Sequence, residues 1–368
     1  MCVKELIGRA ITDNGEFMNE LKKRLTGDDK QSLKHQNIRR IMIVFCALVL
    51  LFLCSFAYGR YPVPLPDVIR ILGNRVFHLP FTVVSDRNME IAVINVRLPR
   101  ILLACMVGSS LSLAGCAYQS VFQNPMAAPD ILGASSGAGF GAALAILLGL
   151  SSHRVTLFAF CFSILSLFLV YLIGSHVRAN RTVGLLLAGI MIGSLFSAGL
   201  SYLKLVADPN NQLPVITYWL MGSLSGATHG DVWFAVLPML LGTSVLLVLR
   251  WRVNLLTLHP DEARAMGVHT EYLRLLVIGA ATLLTATSVA SAGMIGWVGL
   301  VIPNLCRKLI GNDNRYLFIA SALFGASFLL LVDDVSRNLL ATEIPIGILT
   351  AFIGAPFFLY LMTRRENN

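Results

Sequence analysis

Charged side chains are scarce in this 368-residue chain. Asp, Glu, Lys and Arg make up only 13% of it, roughly half their usual share in soluble domains, which is ~25%. Hydrophobic residues make up 56%, and the mean hydropathy is +0.72. Apolar runs of roughly 20 residues, the length that crosses a bilayer, recur along the whole chain. These features exclude an ordinary soluble domain and predict a polytopic membrane protein.

The sequence motifs of common enzymes are also missing. There is no GxxxxGK[ST] phosphate-binding loop, so the chain is not expected to hydrolyse ATP by the usual machinery. The seven cysteines form no CxxC pair and no Cys/His ligand spacing, which argues against a zinc site or a disulfide framework. The seven histidines fit no serine–histidine–carboxylate arrangement. We therefore predict no enzyme activity, no catalytic residue, no metal site and no cofactor bound by this chain.

The net charge of +9 does not indicate a nucleic-acid partner. Lys and Arg lie in short segments beside the apolar runs, and no basic stripe with interleaved aromatic residues occurs. With the N-terminus inside and ten spans, 20 of the 29 basic residues fall on the cytoplasmic side. The positive-inside rule therefore predicts that both termini are cytoplasmic.

Ten apolar segments predict an all-α membrane protein with about ten transmembrane helices. No cleavable signal peptide is apparent, because the first 40 residues are polar and mixed in charge. We expect a cytoplasmic extension over 1–40, a transmembrane domain over 41–363 and a cytoplasmic tail over 364–368. The extension is either a membrane-surface helix or a flexible tail. The predicted spans are 41–58, 101–118, 131–150, 155–177, 183–206, 232–249, 273–292, 294–310, 316–332 and 346–362.

Helix-breaking sequence lies between the second and third predicted spans, where residues 123–139 read QNPMAAPDILGASSGAG. Asn124-Pro125 and Ala128-Pro129 should end the second span near the cytoplasmic face. The segment is either a simple turn or a constriction on a transport path, since broken backbone in a membrane must be buried in protein or line a wet cavity. The glycines at 137–141 favour close helix packing over a nucleotide loop.

Three further segments have a polar or interfacial character. The segment LHPDEARAMGV (258–268) is either a solvated cytoplasmic turn or a rigid element that contacts a partner. The outer segment DDVSR (333–337) predicts local ion pairs or interface anchors, and Arg97 and Arg100 are candidates for snorkelling. Together the outer arginines would suit an acidic partner surface. Residues 216–224 are apolar but too short to span, which favours a partial or interfacial helix.

In order, these segments resemble the permease subunits of type II ATP-binding-cassette (ABC) importers for iron–siderophore complexes, haem and cobalamin, the FecCD-like family. The resemblance extends over about 41–361. The matching segments are RLPRILLACMVGSSLSLAG (97–115), QNPMAAPDILGASSGAG (123–139), LLLAG (185–189), WLMGSLSG (219–226), LHPDEARAMGV (258–268), GMIGWVGLVIPN (293–304), LVDDVSR (331–337) and EIPIGILTAFIGAPFFLYL (343–361).

The resemblance implies a type II importer fold and a set of partners. These are a second permease copy in a homodimer, two cytoplasmic ATPase subunits that use Mg-ATP, and a periplasmic or lipid-anchored substrate-binding protein. The expected cargo is an iron(III)–siderophore-type chelate, haem or cobalamin, and the expected location is the bacterial cytoplasmic (inner) membrane.

The resemblance also assigns roles to particular residues. The inner gate would comprise Asn124, Pro125, Met126, Arg181 and Thr182. The element coupled to the ATPase would comprise Asp261, Glu262, Ala263, Arg264, Met266 and Gly267. Docking of the binding protein would involve Arg97, Arg100 and Arg337.

Three positions depart from the family pattern: Asn304 where His is frequent, Met126 where Leu is common, and Arg181 where a small residue is typical. The alternative function is an ion-coupled secondary transporter. It predicts paired carboxylates or His near mid-span as ligands for the coupling ion, and the predicted spans contain few such groups.

Overall fold

The structure is a computed structural model that describes residues 27–75, 78, 86–175, 181–257, 269–340 and 342–363. Within these ranges the regular elements are all helical. The α-helices are α1 Gly27–Ala57, α2 Leu65–Arg75, α3 Arg87–Ile91, α4 Leu98–Phe122, α5 Ala134–Leu147, α6 Ser152–Ser175, α7 Arg181–Val206, α8 Gln212–Leu220, α9 His229–Val253, α10 Thr270–Ala292, α11 Val298–Ile310, α12 Asn314–Asn338 and α13 Ile346–Thr363. A π-helical turn, Ala92–Arg97, joins α3 to α4, and 3₁₀ turns occupy Pro129–Leu132 and Asn254–Thr257.

Each of the ten predicted spans coincides with an apolar helix: α1, α4, α5, α6, α7, α9, α10, α11, α12 and α13. In the described ranges, seven helical stretches are long and apolar enough to cross a membrane. The predicted spans 131–150 and 294–310 were too long, because α5 has 14 residues and α11 has 13. At 1.5 Å per residue each is about 20 Å long, short of a hydrocarbon core of about 30 Å.

Two spans begin 14 residues before their predicted starts. The helix that contains the first span begins at Gly27, so the last residues of the predicted extension are continuous with it. The second span begins 14 residues earlier than expected, with α3 and the π turn Ala92–Arg97. A π turn suits this position because Pro99 lacks the N–H that a regular α-helix would use there.

Helix α4 is the centre of the bundle. Most of its residues are buried, and it packs against α10, α11 and α12. A Cβ built on Gly108 of α4 would lie 2.3 Å from the Gly325 carbonyl oxygen of α12, and the reverse distance is also 2.3 Å. The two backbones can touch only because both positions lack side chains.

The glycines of α5 serve the same purpose. A Cβ on Gly137 or Gly141 would lie 2.6 Å from a carbonyl oxygen of α6, that of Phe162 or Phe158. The packing interpretation of this glycine-rich run is therefore confirmed. Helix α8 is the short helix expected near 216–224, and α2 is a further short helix with Asp67 in its first turn.

Candidate functional site: a groove between interrupted helices

A groove of about 830 Å³ lies where several helices are interrupted. Its walls come from the start of α5, the end of α8, the connection between α10 and α11, and one face of α13. The lining residues are Asp130, Ser135, Ser136, Leu220, Met221, Met294, Ile295, Gly296, Trp297, Gly347, Ile348, Ala351, Phe352, Ala355 and Pro356. Most of them are apolar, and Phe352 is 75% exposed on the groove side of the chain.

Backbone hydrogen bonds join the interrupted ends into one junction. Ser223 N donates to the Ala292 carbonyl at 2.8 Å, and Ile346 N donates to the Gly222 carbonyl at 2.9 Å. Gly347 N donates to the Met221 carbonyl at 3.1 Å. These bonds satisfy polar groups freed by the helix breaks, as backbone at membrane depth requires. The start of α13 is thereby tied to the ends of α8 and α10.

A left-handed backbone occurs at three residues of this junction: Gly222, whose φ is 72°, Gly293 and Trp297. Gly293 has φ 71°, and a Cβ there would lie 2.4 Å from the Trp219 carbonyl oxygen, so only glycine fits. Trp297 also has φ 71°, which is costly for a bulky residue. A Cβ added to Gly354 of α13 would lie 2.5 Å from the Trp297 Cβ, so Trp297 packs directly on the backbone of α13. The surrounding contacts therefore hold Trp297 in a strained position on the groove wall.

The polar part of the groove is small. Asp130 is the one carboxylate among the lining residues, and the Ser135 hydroxyl donates a short hydrogen bond to it. Ser135 is buried, whereas Ser136 is partly exposed to the groove. In the described part of the chain, no three His, Cys, Asp or Glu side chains come together to hold a metal ion. The groove can accommodate a large solute but offers it few binding groups.

Before the groove-lining residue Asp130, α4 stops at Phe122 and the chain turns through Gln123, whose φ is 50°. The Asn124 side chain caps the turn, since its Oδ1 accepts from Met126 N at 2.9 Å. Asn124, Pro125 and Met126 are all exposed. The predicted break in the backbone is therefore present, and it lies beside α11.

Asn304 attaches this segment to α11. Its Nδ2 donates to the Pro125 carbonyl at 2.9 Å and to the Leu300 carbonyl of its own helix at 2.8 Å. Arg307, one turn further, donates to Asn304 Oδ1 at 3.2 Å and makes a short bond to Gln119 Oε1. In the sequence alone, Asn304 is a departure from a family pattern without a predicted structural role. A polar side chain next to a proline inside an apolar helix was the signal available.

The other predicted inner residues are described only in part. Arg181 is the first residue of α7, and Thr182 is the second. Their side chains lie outside the described residues, as does the whole segment 258–268. The latter contains Asp261, Glu262, Ala263, Arg264, Met266 and Gly267. Their predicted gate and coupling roles therefore stay predictions.

Two of the predicted docking arginines, Arg100 and Arg337, form a buried ion-pair network. Arg100 binds Asp333 at 2.9 Å and Glu343 at 2.9 Å. Arg337 lies 3.2 Å from Asp333 and makes a short contact with Asp334. Asp333 is fully buried, and the two arginine side chains are only 7% and 8% exposed. The network links α4 and α12 to the segment before α13.

Arg97 is buried differently. Its guanidinium donates short hydrogen bonds to the carbonyls of Phe56 and Tyr61. These bonds connect the start of α4 to the last turn of α1 and the segment after it. The Tyr61 hydroxyl donates to Asp86 at 2.8 Å, and this bond lowers the pKa of that carboxyl. The three arginines thus have intramolecular partners. Arg337 forms the local ion pairs expected of the segment 333–337. The snorkelling expected of Arg97 and Arg100 is wrong, because each residue is only 5% exposed. Their docking role stays a prediction.

This arrangement of ten apolar helices with interrupted ends defines a class: it is the permease fold of type II ABC importers. A solved inward-facing structure of a metal-chelate type ABC transporter superposes with a TM-score of 0.79 at 38% identity, covering 88% of this chain and 98% of that one. The family model for the FecCD transport family matches residues 47–364. The chain belongs to that family.

Relatives with named functions are similar over most of their length. The molybdate import system permease protein MolB of Haemophilus influenzae is 41% identical over 311 residues, which covers 84% of this chain and 91% of that protein. The cobalamin import system permease protein BtuC of Halobacterium salinarum is 40% identical over 278 residues, or 75% of this chain and 74% of that protein. The chain is therefore a membrane-spanning transport subunit.

Proposed function

We propose that this chain is the permease subunit of an ATP-driven importer that carries a metal chelate into the cytoplasm. The observation that carries the proposal is the groove between interrupted helices in a chain of this family. Its volume of about 830 Å³ lies in the upper range of small-molecule sites. The cargo class is an iron(III)–siderophore-type chelate, haem or cobalamin. The cobalamin permease among the relatives supports this class.

A second copy of the chain would complete the pathway. The groove is open on one side, where Phe352 is 75% exposed and Met221 is 38% exposed. Two grooves that face each other across a twofold axis would enclose about twice the volume of one. The assembly would also contain a pair of cytoplasmic ATPases that bind Mg-ATP and a substrate-binding protein outside. It would lie in the bacterial inner membrane with both termini in the cytoplasm.

In this mechanism the ATPases move the permease, and the groove supplies little binding energy. Residues 261–267 would transmit ATPase closure to α9 and α10, on either side of them. The segment Asn124–Met126, together with Arg181 and Thr182, would open and close the inner end. A mostly apolar lining suits a conduit, because strong polar binding would slow release of the solute. Specificity would then reside in the binding protein, which we propose docks on the outer arginines Arg97, Arg100 and Arg337.

The test is uptake into proteoliposomes that contain this chain, its ATPase and its binding protein. Ferric siderophores, haem, cobalamin and molybdate are offered separately on the side of the binding protein. Mg-ATP is supplied on the side of the membrane where the ATPase is bound. We expect ATP-dependent uptake of one of the chelates and none with a hydrolysis-deficient ATPase. If molybdate alone is transported, the permease role stands but the chelate class is wrong.

The ion-coupled alternative makes a different prediction in the same vesicles. It requires uptake driven by a proton or sodium gradient without the ATPase. It also requires paired ionisable groups near mid-span, whereas the groove lining contains the single carboxylate of Asp130. Gradient-driven uptake by the chain alone would overturn the proposed function.

A further inference from the structure

A second groove, of about 670 Å³, lies at the inner ends of three spans on the outside of the bundle. It is formed by the first turns of α12, the last turns of α9 and the part of α1 near the start of its apolar run. The lining residues are Lys34, Ile38, Ile41, Met42, Arg250, Trp251, Arg315, Tyr316 and Ile319. None of them lines the 830 Å³ groove between the interrupted helices.

The charges of this groove are all of one sign. Lys34, Arg250 and Arg315 converge on it from three different helices, and the lining contains no acidic residue. Across the ranges the structure describes, none of the three forms an ion pair. The carboxylate of Asp313 nearby accepts from Asn254 Nδ2 at 2.8 Å and from Arg315 N at 3.0 Å.

The rest of the groove is apolar and aromatic. Ile38 and Met42 are 43% and 53% exposed, and they begin the apolar face that α1 shows along most of its length. Trp251 is 48% exposed, and the Arg315 guanidinium lies 5.6 Å from its ring centre. Tryptophan and tyrosine in this setting are typical of the membrane–water boundary. The groove thus has a cationic end at the boundary and an apolar wall that runs into the bilayer.

We propose that this groove binds a phospholipid with an anionic head group, such as phosphatidylglycerol or cardiolipin. The phosphate is held by Lys34, Arg250 and Arg315, and the acyl chains lie along Ile38, Met42 and Ile319. Basic pockets between transmembrane helices on the cytoplasmic side suit such head groups, and the cytoplasmic side is where positive charge concentrates.

Independent snorkelling is the simpler explanation for each cation alone. It does not account for three unpaired cations from three helices that line one cavity. A free phosphate ion would use the cations but would leave the apolar wall unexplained. An anionic lipid accounts for both parts of the groove. Because it concerns only the membrane-facing surface, the proposal does not depend on which solute the chain transports.

Native mass spectrometry of the purified, delipidated full chain tests the proposal. Phosphatidylglycerol and phosphatidylcholine with the same acyl chains are titrated separately, and the dissociation constant of the first bound lipid is measured. We expect tighter binding of phosphatidylglycerol. Each cation near a membrane surface should contribute about fivefold to the affinity, so Arg315→Gln alone should weaken binding by about that factor.

The matched comparison uses two triple variants with the same change in net charge. Lys34→Gln/Arg250→Gln/Arg315→Gln should reduce phosphatidylglycerol binding to the level of phosphatidylcholine. Arg70→Gln/Arg87→Gln/Arg154→Gln, at the opposite end of the molecule, should leave it unchanged. Folding of each variant is checked by circular dichroism and gel filtration. If the first triple variant does not fold, the fivefold loss of affinity expected for Arg315→Gln is measured instead.

The position of the lipid is checked by quenching with brominated acyl chains. Brominated phosphatidylglycerol should quench tryptophan fluorescence more than brominated phosphatidylcholine, and Trp251→Phe should remove the difference. Equal affinity for the two lipids in the unaltered chain would overturn the proposal. Equal loss of affinity in the two triple variants would overturn it as well. So would binding of inorganic phosphate as tight as that of phosphatidylglycerol.

Discussion

Replacement of Asn304 by alanine should make the inner end of the pathway leak. In the structure, the Asn304 side-chain amide bridges two elements, since it donates to the Pro125 carbonyl at 2.9 Å from its place on α11. Alanine removes this donor and leaves the turn Asn124–Met126 held by its own cap. The second bond of the amide, to Leu300, lies within α11 and does not restrain the turn.

The size of the effect follows from one hydrogen bond between a side chain and the backbone. Such a bond contributes about 1 kcal/mol net, which corresponds to about fivefold in the population of the detached turn. If both copies of a homodimer must detach together, the factor is about 25. The assay is ATP-independent efflux of a trapped chelate from proteoliposomes at a matched protein density. An efflux rate about 5 to 25 times that of the unaltered chain is expected.

Two comparisons separate the bridge from a general loss of stability. Asn304→Asp keeps an oxygen for Arg307, which lies 3.2 Å away, but has no donor for Pro125, so it should leak at least as much as the alanine variant. Ser327→Ala removes a 2.9 Å side-chain bond in α12, away from the gate, and should not leak. Unchanged efflux from the two Asn304 variants would refute the reasoning.

Three further predictions concern the outer network and the core. Asp333→Asn removes the fully buried partner of two arginines, so the free energy of unfolding should fall by about 3–5 kcal/mol. The measurement is a lower melting temperature in detergent. The control Asp67→Asn, from an exposed ion pair, should lower the free energy of unfolding by at most about 1 kcal/mol. Glu343→Gln leaves Arg100 with one anion fewer at a side chain that is 25% exposed, so affinity for an acidic binding-protein surface should rise several-fold at low salt and less at high salt; no change in a surface plasmon resonance titration would contradict docking at this network. Gly325→Ala places a Cβ 2.3 Å from a carbonyl and should abolish folded protein in gel filtration, whereas Gly279→Ala meets nothing within 4 Å and should be neutral or slightly stabilising.

The number and order of the apolar helices were predictable because hydropathy is a property of contiguous residues. Each of the ten predicted segments contains a helix, and the short helix α8 was recognised as too short to span. The lengths of α5 and α11 were not predictable from hydropathy alone. Their flanking residues are apolar enough to continue a span, but Gly133 and Trp297 adopt left-handed backbone at the helix starts. Only contacts with other segments stabilise such breaks.

The candidate site was predictable in part. The Asn-Pro sequence marked the inner break because proline cannot continue the helix that precedes it. The partner of that break, Asn304, lies 179 residues further along, and no local pattern connects the two. The outer arginines were recognised as a group, yet their burial was not. Whether a charged side chain at a span end reaches water or a carboxylate depends on which helices lie beside it.

The sequence by itself determined that this chain is a helical membrane protein of the ABC importer permease type. Composition, apolar run length and the order of motifs are properties of contiguous residues, so they can be read without knowing the fold. The tertiary structure decided where α8, α10 and α13 meet, which glycines allow backbones to touch, and which cations remain unpaired at the groove beside α1. These properties depend on the distance between atoms far apart in sequence. They arise only once packing has brought such atoms together.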